Sequence, residues 1–266
     1  MTPLPLWRAY LHALLLSAEM VYRDLARDLF VLFTIVIQPA LVAFMALWML
    51  KDSKDGYGIF VVVGGGMTGL WSSLLFLCGN AIGQDRWEGV LETLVGVPTP
   101  LSVITLGRTG AFVLQSLVSM VVSYILAALV LGYPLSIEQP GFFALSLGLM
   151  VIAFICFGLA IAPFFLLNPI VQRFQNGLEF PVFILSGFLF PIALLPGWTT
   201  PISYLLAPYW AAQALHASAQ GSATWGELGG YWALLLGLGL GYLLLSTWLF
   251  KVMLYRVRVE ATLDVQ

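Results

Sequence analysis

The stretch 84-QDRWEGVLETLVGVPTP-100 carries Asp85, Arg86, Glu88 and Glu92 in a chain that otherwise avoids charge. Long apolar runs stand on both sides of it. Read with the helical period, Trp87, Val90, Leu91, Leu94 and Val95 recur at i, i+3, i+4, i+7 and i+8 and define one apolar face. Asp85, Glu88 and Glu92 fall on the opposite face, and Pro98 and Pro100 stop the helix. The pattern predicts a short surface helix over 84–97, with the Trp face toward lipid or the bundle and the carboxylates toward water. Its acidic face suits a basic protein surface better than an anionic membrane, which would repel it.

The surroundings explain why such a helix stands out. Of 266 residues, 61% are hydrophobic and 9% charged, with a mean hydropathy of +0.97. Soluble domains carry roughly 25% charged residues, so this composition cannot furnish a water-facing surface. It predicts an all-α polytopic membrane protein forming a single transmembrane domain over 1–266. The net charge of −2 gives no basic signal for nucleic acid. Cys78 and Cys156 lie far apart in apolar runs and read as small buried residues.

Outward from the opening stretch, apolar runs predict six spans at about 30–50, 57–83, 108–131, 142–167, 178–195 and 231–250. Gln38-Pro39 marks a kink in the first, and Pro181 and Pro191 interrupt the short fifth. Segment 196–227 is broken by Pro196, Pro201 and Pro208 and has no uninterrupted run of spanning length. It reads as short interfacial or re-entrant helices. At the N-terminus, Trp7, Tyr10, Leu11, Leu14, Ala18, Val21, Tyr22 and Leu25 recur at helical spacing, with Arg8, His12, Glu19, Arg23 and Arg27 mostly opposite. This pattern predicts an amphipathic helix over 6–28 in the membrane interface, in preference to a cleaved signal.

Charge placement orients the bundle. Arg8, Arg23, Arg27, Arg86, Arg108, Arg173, Lys251, Arg256 and Arg258 fall on one side of a six-span topology, and only Lys51 and Lys54 on the other. The positive-inside rule puts both termini and the stretch 84–97 in the cytoplasm, and 196–227 outside.

Few polar groups enter the spans. Gln38, Ser72, Asn80, Gln115 and Ser119 are candidates for lining a substrate path, with hydrogen bonding between helices as the alternative role. Glu179 is read at the cytoplasmic start of span five, close to Arg173 in sequence, so a local pair or a partner contact is expected there. On that reading no span carries a carboxylate at its middle, which argues against ion coupling. The Gly65-x-x-x-Gly69 and Gly237-x-x-x-Gly241 spacings are weak signals of close helix packing. An apolar, uncharged interior suits a hydrophobic or amphiphilic cargo, drug-like, lipid-like or glycan.

Enzymatic signatures are missing from the sequence. There is no G-x-x-x-x-G-K-[ST] phosphate cradle, no His-Glu-x-x-His and no serine nucleophile elbow. His12 and His216 are single and far apart, as interface residues are.

With these residues in view, "RWEGVLETLVGVPTP" resembles the acidic segment that follows the second span in type-2 ABC transporter permeases. The stretches "FLFPIALLPGW" and "PISYLLAPYWAAQALH" are similar to that family's region after span five, with Thr200-Pro201 where Asn-Pro is usual. The resemblance implies a coupling helix whose docking residues are Asp85, Arg86, Trp87, Glu88, Val90, Leu91, Glu92 and Leu94. It implies a separate cytosolic ATPase subunit carrying ATP and Mg, and a second permease copy or a related permease. It also implies a place in a bacterial inner membrane and extracellular re-entrant hairpins at 196–227. Two other readings stay open at this point: an ion-coupled secondary transporter, and a membrane scaffold recruiting a cytosolic protein.

Overall fold

The structure is a computed structural model that describes the chain apart from residues 1–5, 26–28, 50–56, 132–135, 189–191, 193–194 and 260–266. The polar turn holding Lys51 and Lys54 therefore lies outside the described residues, as does Arg27. No β-strand occurs among the described residues. In chain order the helices are α1 (Leu6–Leu25), α2 (Leu29–Leu32), α3 (Gln38–Met49), α4 (Tyr57–Ser73), α5 (Gly79–Trp87), α6 (Leu91–Gly96), α7 (Leu101–Ser116), α8 (Val118–Leu131), α9 (Pro140–Leu167), α10 (Pro169–Arg173), α11 (Gln175–Leu185), α12 (Thr200–Tyr204), α13 (Ala207–Ala219) and α14 (Trp225–Val259).

Five of the continuous helical stretches are long and apolar enough to cross a membrane: Leu29–Ala46, Val61–Trp87, Leu101–Leu129, Pro140–Leu167 and Trp225–Val257. The first two contain π-helical turns, Phe33–Ile37 between α2 and α3 and Leu74–Cys78 between α4 and α5. The first turn has a chemical cause. Pro39 has no N–H to continue the ladder, and the Gln38 N–H instead reaches the Phe33 carbonyl. The kink expected at Gln38-Pro39 is thus absorbed as a widened turn just before it.

The predicted fifth span differs from expectation. α11 has 11 residues, about 16 Å at 1.5 Å per residue, roughly half of a hydrocarbon core about 30 Å thick. Pro181 sits inside it, and a turn at Ser186–Gly187 ends it. The rest of 178–195 is described only in part, and five stretches among the described residues are long and apolar enough to cross a membrane. α14 overshoots its predicted range at both ends: 35 residues give about 52 Å.

The core is built on the pairing of α9 with α14, with α13 and α5 against α9 and α4 against α8. Met67, Leu70, Trp71, Phe154, Phe165 and Leu215 form its buried centre. Gly65, Gly66 and Gly69 let α4 meet α8 almost backbone to backbone. A Cβ on Gly66 would come within 2.0 Å of Met120 Cγ and 2.9 Å of its Cα. Ser119 uses that approach to donate to the Gly66 carbonyl at 2.9 Å. The Gly237 and Gly241 positions face open space, so the same spacing on α14 does not pack a helix within this chain.

α1 has three faces. Small residues turn inward: Ser17 and Val21 are buried, and the helix lies on α7 at Gly107, where a Cβ would meet the Leu14 carbonyl oxygen at 2.4 Å. Trp7, Leu11, Leu15, Leu16 and Met20 stay exposed, a surface that suits lipid. Glu19 and Arg23 pair on the polar side.

Candidate functional site

The acidic stretch is not one helix. Residues 84–87 are the last turn of α5, the continuation of the second span, and α6 is a separate short helix. Gly89 makes the break, with φ of 70°, a left-handed conformation in which a Cβ is strained. The Val90 N–H bonds the Asp85 carbonyl at 2.9 Å and the Gly89 N–H bonds the Arg86 carbonyl at 3.1 Å. These two bonds cap the helix as a Schellman motif. The expected single helix over 84–97 fails because glycine at this point is a stop signal, which the amphipathic period across it masks.

The break changes which residues face inward. Leu91 is buried with Ile82, Leu101, Leu159, Ala162, Phe250 and Met253, and Leu94 and Val95 pack at the edge of that cluster. α6 thus packs on α5 and shares a buried cluster with residues of α7, α9 and α14. Trp87, expected to share the inward face, is 77% exposed, and Val90 is exposed beside it. Both lie on the outer rim with Glu88 and Glu92.

Asp85 also departs from the expected pattern. It is buried and held by Arg108 of α7, whose Nη1 donates to its two carboxylate oxygens at 2.7 and 2.6 Å. The same nitrogen lies 3.4 Å from the Ala81 carbonyl. Asp85 thus ties α5 to α7, and the outward acidic surface reduces to Glu88 and Glu92. Gln84 on α5 donates to Glu88 at 2.9 Å and steadies its carboxylate. Arg86 is half-buried and lines a cavity of about 710 Å³ with Trp87, Gln172 and Arg173.

The polar residues expected to line a path fall into three places. Gln38 and Ser72 meet at Glu179: Gln38 donates to the Glu179 Oε1 at 2.8 Å, and the Ser72 hydroxyl donates to the same oxygen. Asn80 accepts from Gln172 at 2.7 Å at the edge of the 710 Å³ cavity. Gln115 is buried with no hydrogen-bond partner on either side-chain atom among the described residues, while Ser119 belongs to the α4–α8 contact.

Glu179 corrects the reading of span five. Its partners are Gln38 and Ser72, and no ion pair with Arg173 forms. From Ser72 to Asp85 the continuous helix covers about 20 Å at 1.5 Å per residue, so this carboxylate lies deep in the bundle. A carboxylate therefore reaches Ser72, within the second span. α11 dips inward as a short helix after the α10 turn, which a linear count of apolar residues does not reveal. Arg108 and Gln172 were also missed. A lone arginine in the apolar lead-in to span three was the available signal for the first, and nothing in the sequence pointed to the second.

Among the described residues no group of three or more His, Cys, Asp or Glu side chains comes together as a metal site would need. With this geometry in hand, comparison with known proteins gives one family: the model of the ABC-2 type transporter matches residues 14–219, about three quarters of the chain. No curated protein matches the chain.

Proposed function

The chain belongs to the ABC-2 type transporter family, as a multi-pass membrane permease, and from that premise we propose that it is the transmembrane subunit of an ATP-driven exporter worked by a separate cytosolic ATPase. The observation that carries the proposal is the mounting of 84–97. Its outer rim offers Trp87, Glu88, Val90 and Glu92, while Leu91 is driven into a cluster shared by α5, α7, α9 and α14. A push on the rim cannot be absorbed locally. It moves four helices at once, because close-packed interiors transmit strain.

ATP and Mg belong to the partner, since this sequence has no phosphate cradle. ATP favours one state of the ATPase pair, and that differential binding biases the permease through the docked element. Two permeases, either two copies or this chain with a related one, work with two ATPases. α9 and α14 run parallel, with Trp232 at Ser146 and Ser246 at Leu159, so the chain crosses back between them and the excess of Arg and Lys on one side supports both termini in the cytoplasm; a bacterial inner membrane follows from the family reading. Segment 196–227 then lies outside. Its short helices α12 and α13 would cap the pathway. The mostly apolar interior suits a hydrophobic or amphiphilic cargo.

The test is co-purification. The chain should carry a P-loop ATPase with it, and cargo should stimulate ATP hydrolysis by the complex. Exchanging both rim carboxylates, Glu88→Lys with Glu92→Lys, should abolish ATPase capture while membrane insertion is kept. A double variant that transports at the wild-type rate would refute the docking role.

A further inference from the structure

Glu179 poses a question that the coupling element does not answer. Its side chain is 4% exposed, deep in the bundle, and an ionisable group at such a depth is costly to keep. Two neutral donors from two other spans, Gln38 and Ser72, both bond its Oε1. Oε2 accepts no hydrogen bond among the described residues, and it is not among the fully enclosed orphan atoms. The carboxylate is held rigidly by one oxygen and presents the other.

Among the described residues, none supplies the opposite charge. The described ion pairs are Arg23–Glu19 and Arg108–Asp85. The middle of every span lacks Lys and Arg in the sequence, so a second copy of this chain would bring none either. An uncompensated carboxylate at this depth either takes up a proton or meets a cation from outside the protein. A hard metal ion would need about six oxygen ligands, and the oxygens brought together here are those of the Glu179 carboxylate and the Ser72 hydroxyl. An organic cation needs one counter-charge and apolar walls.

Apolar side chains neighbour Glu179 on α11. α11 packs on α4 and on the π turn Leu74–Cys78, not along α3, so the Gln38–Glu179 bond bridges a seam between α3 and α11. Phe180, next to Glu179, is 59% exposed, and Leu178 and Ile184 are exposed on the same short helix. Both donors sit beside π turns, Gln38 directly after one and Ser72 just before the other, and such turns are frequent at functional sites.

We propose that Glu179, oriented by Gln38 and Ser72, is the cation-recognition point of the permease, selecting cargo that carries an ammonium-like or other delocalised positive charge on an apolar body. The word cargo rests on the exporter reading; the binding step does not, because it needs no ATPase.

The experiment uses the full chain in lipid nanodiscs without the ATPase. The probe is tetraphenylphosphonium, with the near-isosteric anion tetraphenylborate as control and empty discs subtracted. Wild type should bind the cation saturably. Glu179→Gln keeps an acceptor for both donors and removes only the charge. It should weaken cation binding about tenfold or more, a change worth about 1.4 kcal/mol, and leave the anion unchanged. Glu179→Asp, which keeps the charge, should stay near wild type. Equal binding of the cation by wild type and Glu179→Gln, loss of both probes together, or no saturable binding by wild type would each overturn the proposal. So would a Glu179→Gln variant that binds the cation normally but loses a dependence of transport on a pH gradient, because that result assigns the carboxylate to a proton.

Discussion

Arg108 grips both carboxylate oxygens of Asp85, at 2.6 and 2.7 Å, and so clamps the C-terminal end of α5 to α7. Neither side chain is well exposed: 17% for Arg108 and 8% for Asp85. The pair sits directly behind the Gly89 turn, so the base of the proposed coupling element is an ion pair, and its exposed residues include Trp87, Glu88 and Glu92.

Breaking one side of that clamp should be costly. Arg108→Met leaves a buried carboxylate unpaired, a change worth about 3–5 kcal/mol. Asp85→Leu combined with Arg108→Met should recover much of the loss, because a well-packed apolar pair replaces two desolvated charges. Thermal unfolding of the purified chain in detergent reads both. A single variant as stable as wild type would show that the clamp contributes nothing.

Gly89 sets the angle between α5 and α6. A Cβ there would meet nothing within 4 Å, so any penalty is purely backbone strain at φ of 70°. Gly89→Val should cost more than Gly89→Ala, with the Ala change costing about 1 kcal/mol. Gly89→Asn should be the mildest of the three, since Asn tolerates this conformation. Cargo-stimulated ATPase activity should fall in the same order, because the rim is re-aimed against the partner. Equal activity in all three would separate the turn from coupling.

Two glycine spacings that look alike should behave differently. Gly66→Ala puts a Cβ against the Met120 backbone and should destabilise by about 1–3 kcal/mol, as overpacking does. Gly237→Ala and Gly241→Ala point into open space and should be neutral, or stabilising by up to about 1 kcal/mol through helix propensity. Expression level and thermal stability of the three variants check this. If Gly241→Ala alone disrupts assembly, α14 packs against a second chain at that position.

The sequence made the membrane class plain, because a chain with 9% charged residues has too little polar surface for water. Long apolar runs coincide with the helical stretches Leu29–Ala46, Val61–Trp87 and Pro140–Leu167. What hydropathy could not show was depth. Glu179 looks peripheral because it opens an apolar run, yet the proline-broken α11 carries it inward to Ser72. Likewise the amphipathic period across 84–97 held after Gly89, where Leu91, Leu94 and Val95 turn inward, while before it the last turn of α5 buries Asp85 and exposes Trp87. Asp85 was grouped with Glu88 and Glu92 by spacing, whereas its partner, Arg108, lies across a helix–helix contact that no local pattern encodes.

The most direct test of the account is the side of the membrane on which Glu92 stands and what covers it. Glu92→Cys, placed in a chain whose Cys78 is buried and Cys156 half-buried, should react with a membrane-impermeant maleimide in inside-out vesicles and not in sealed cells. Adding the ATPase subunit should protect it. Labelling of Glu92→Cys from outside sealed cells, or full reactivity with the ATPase bound, would contradict a cytoplasmic coupling element.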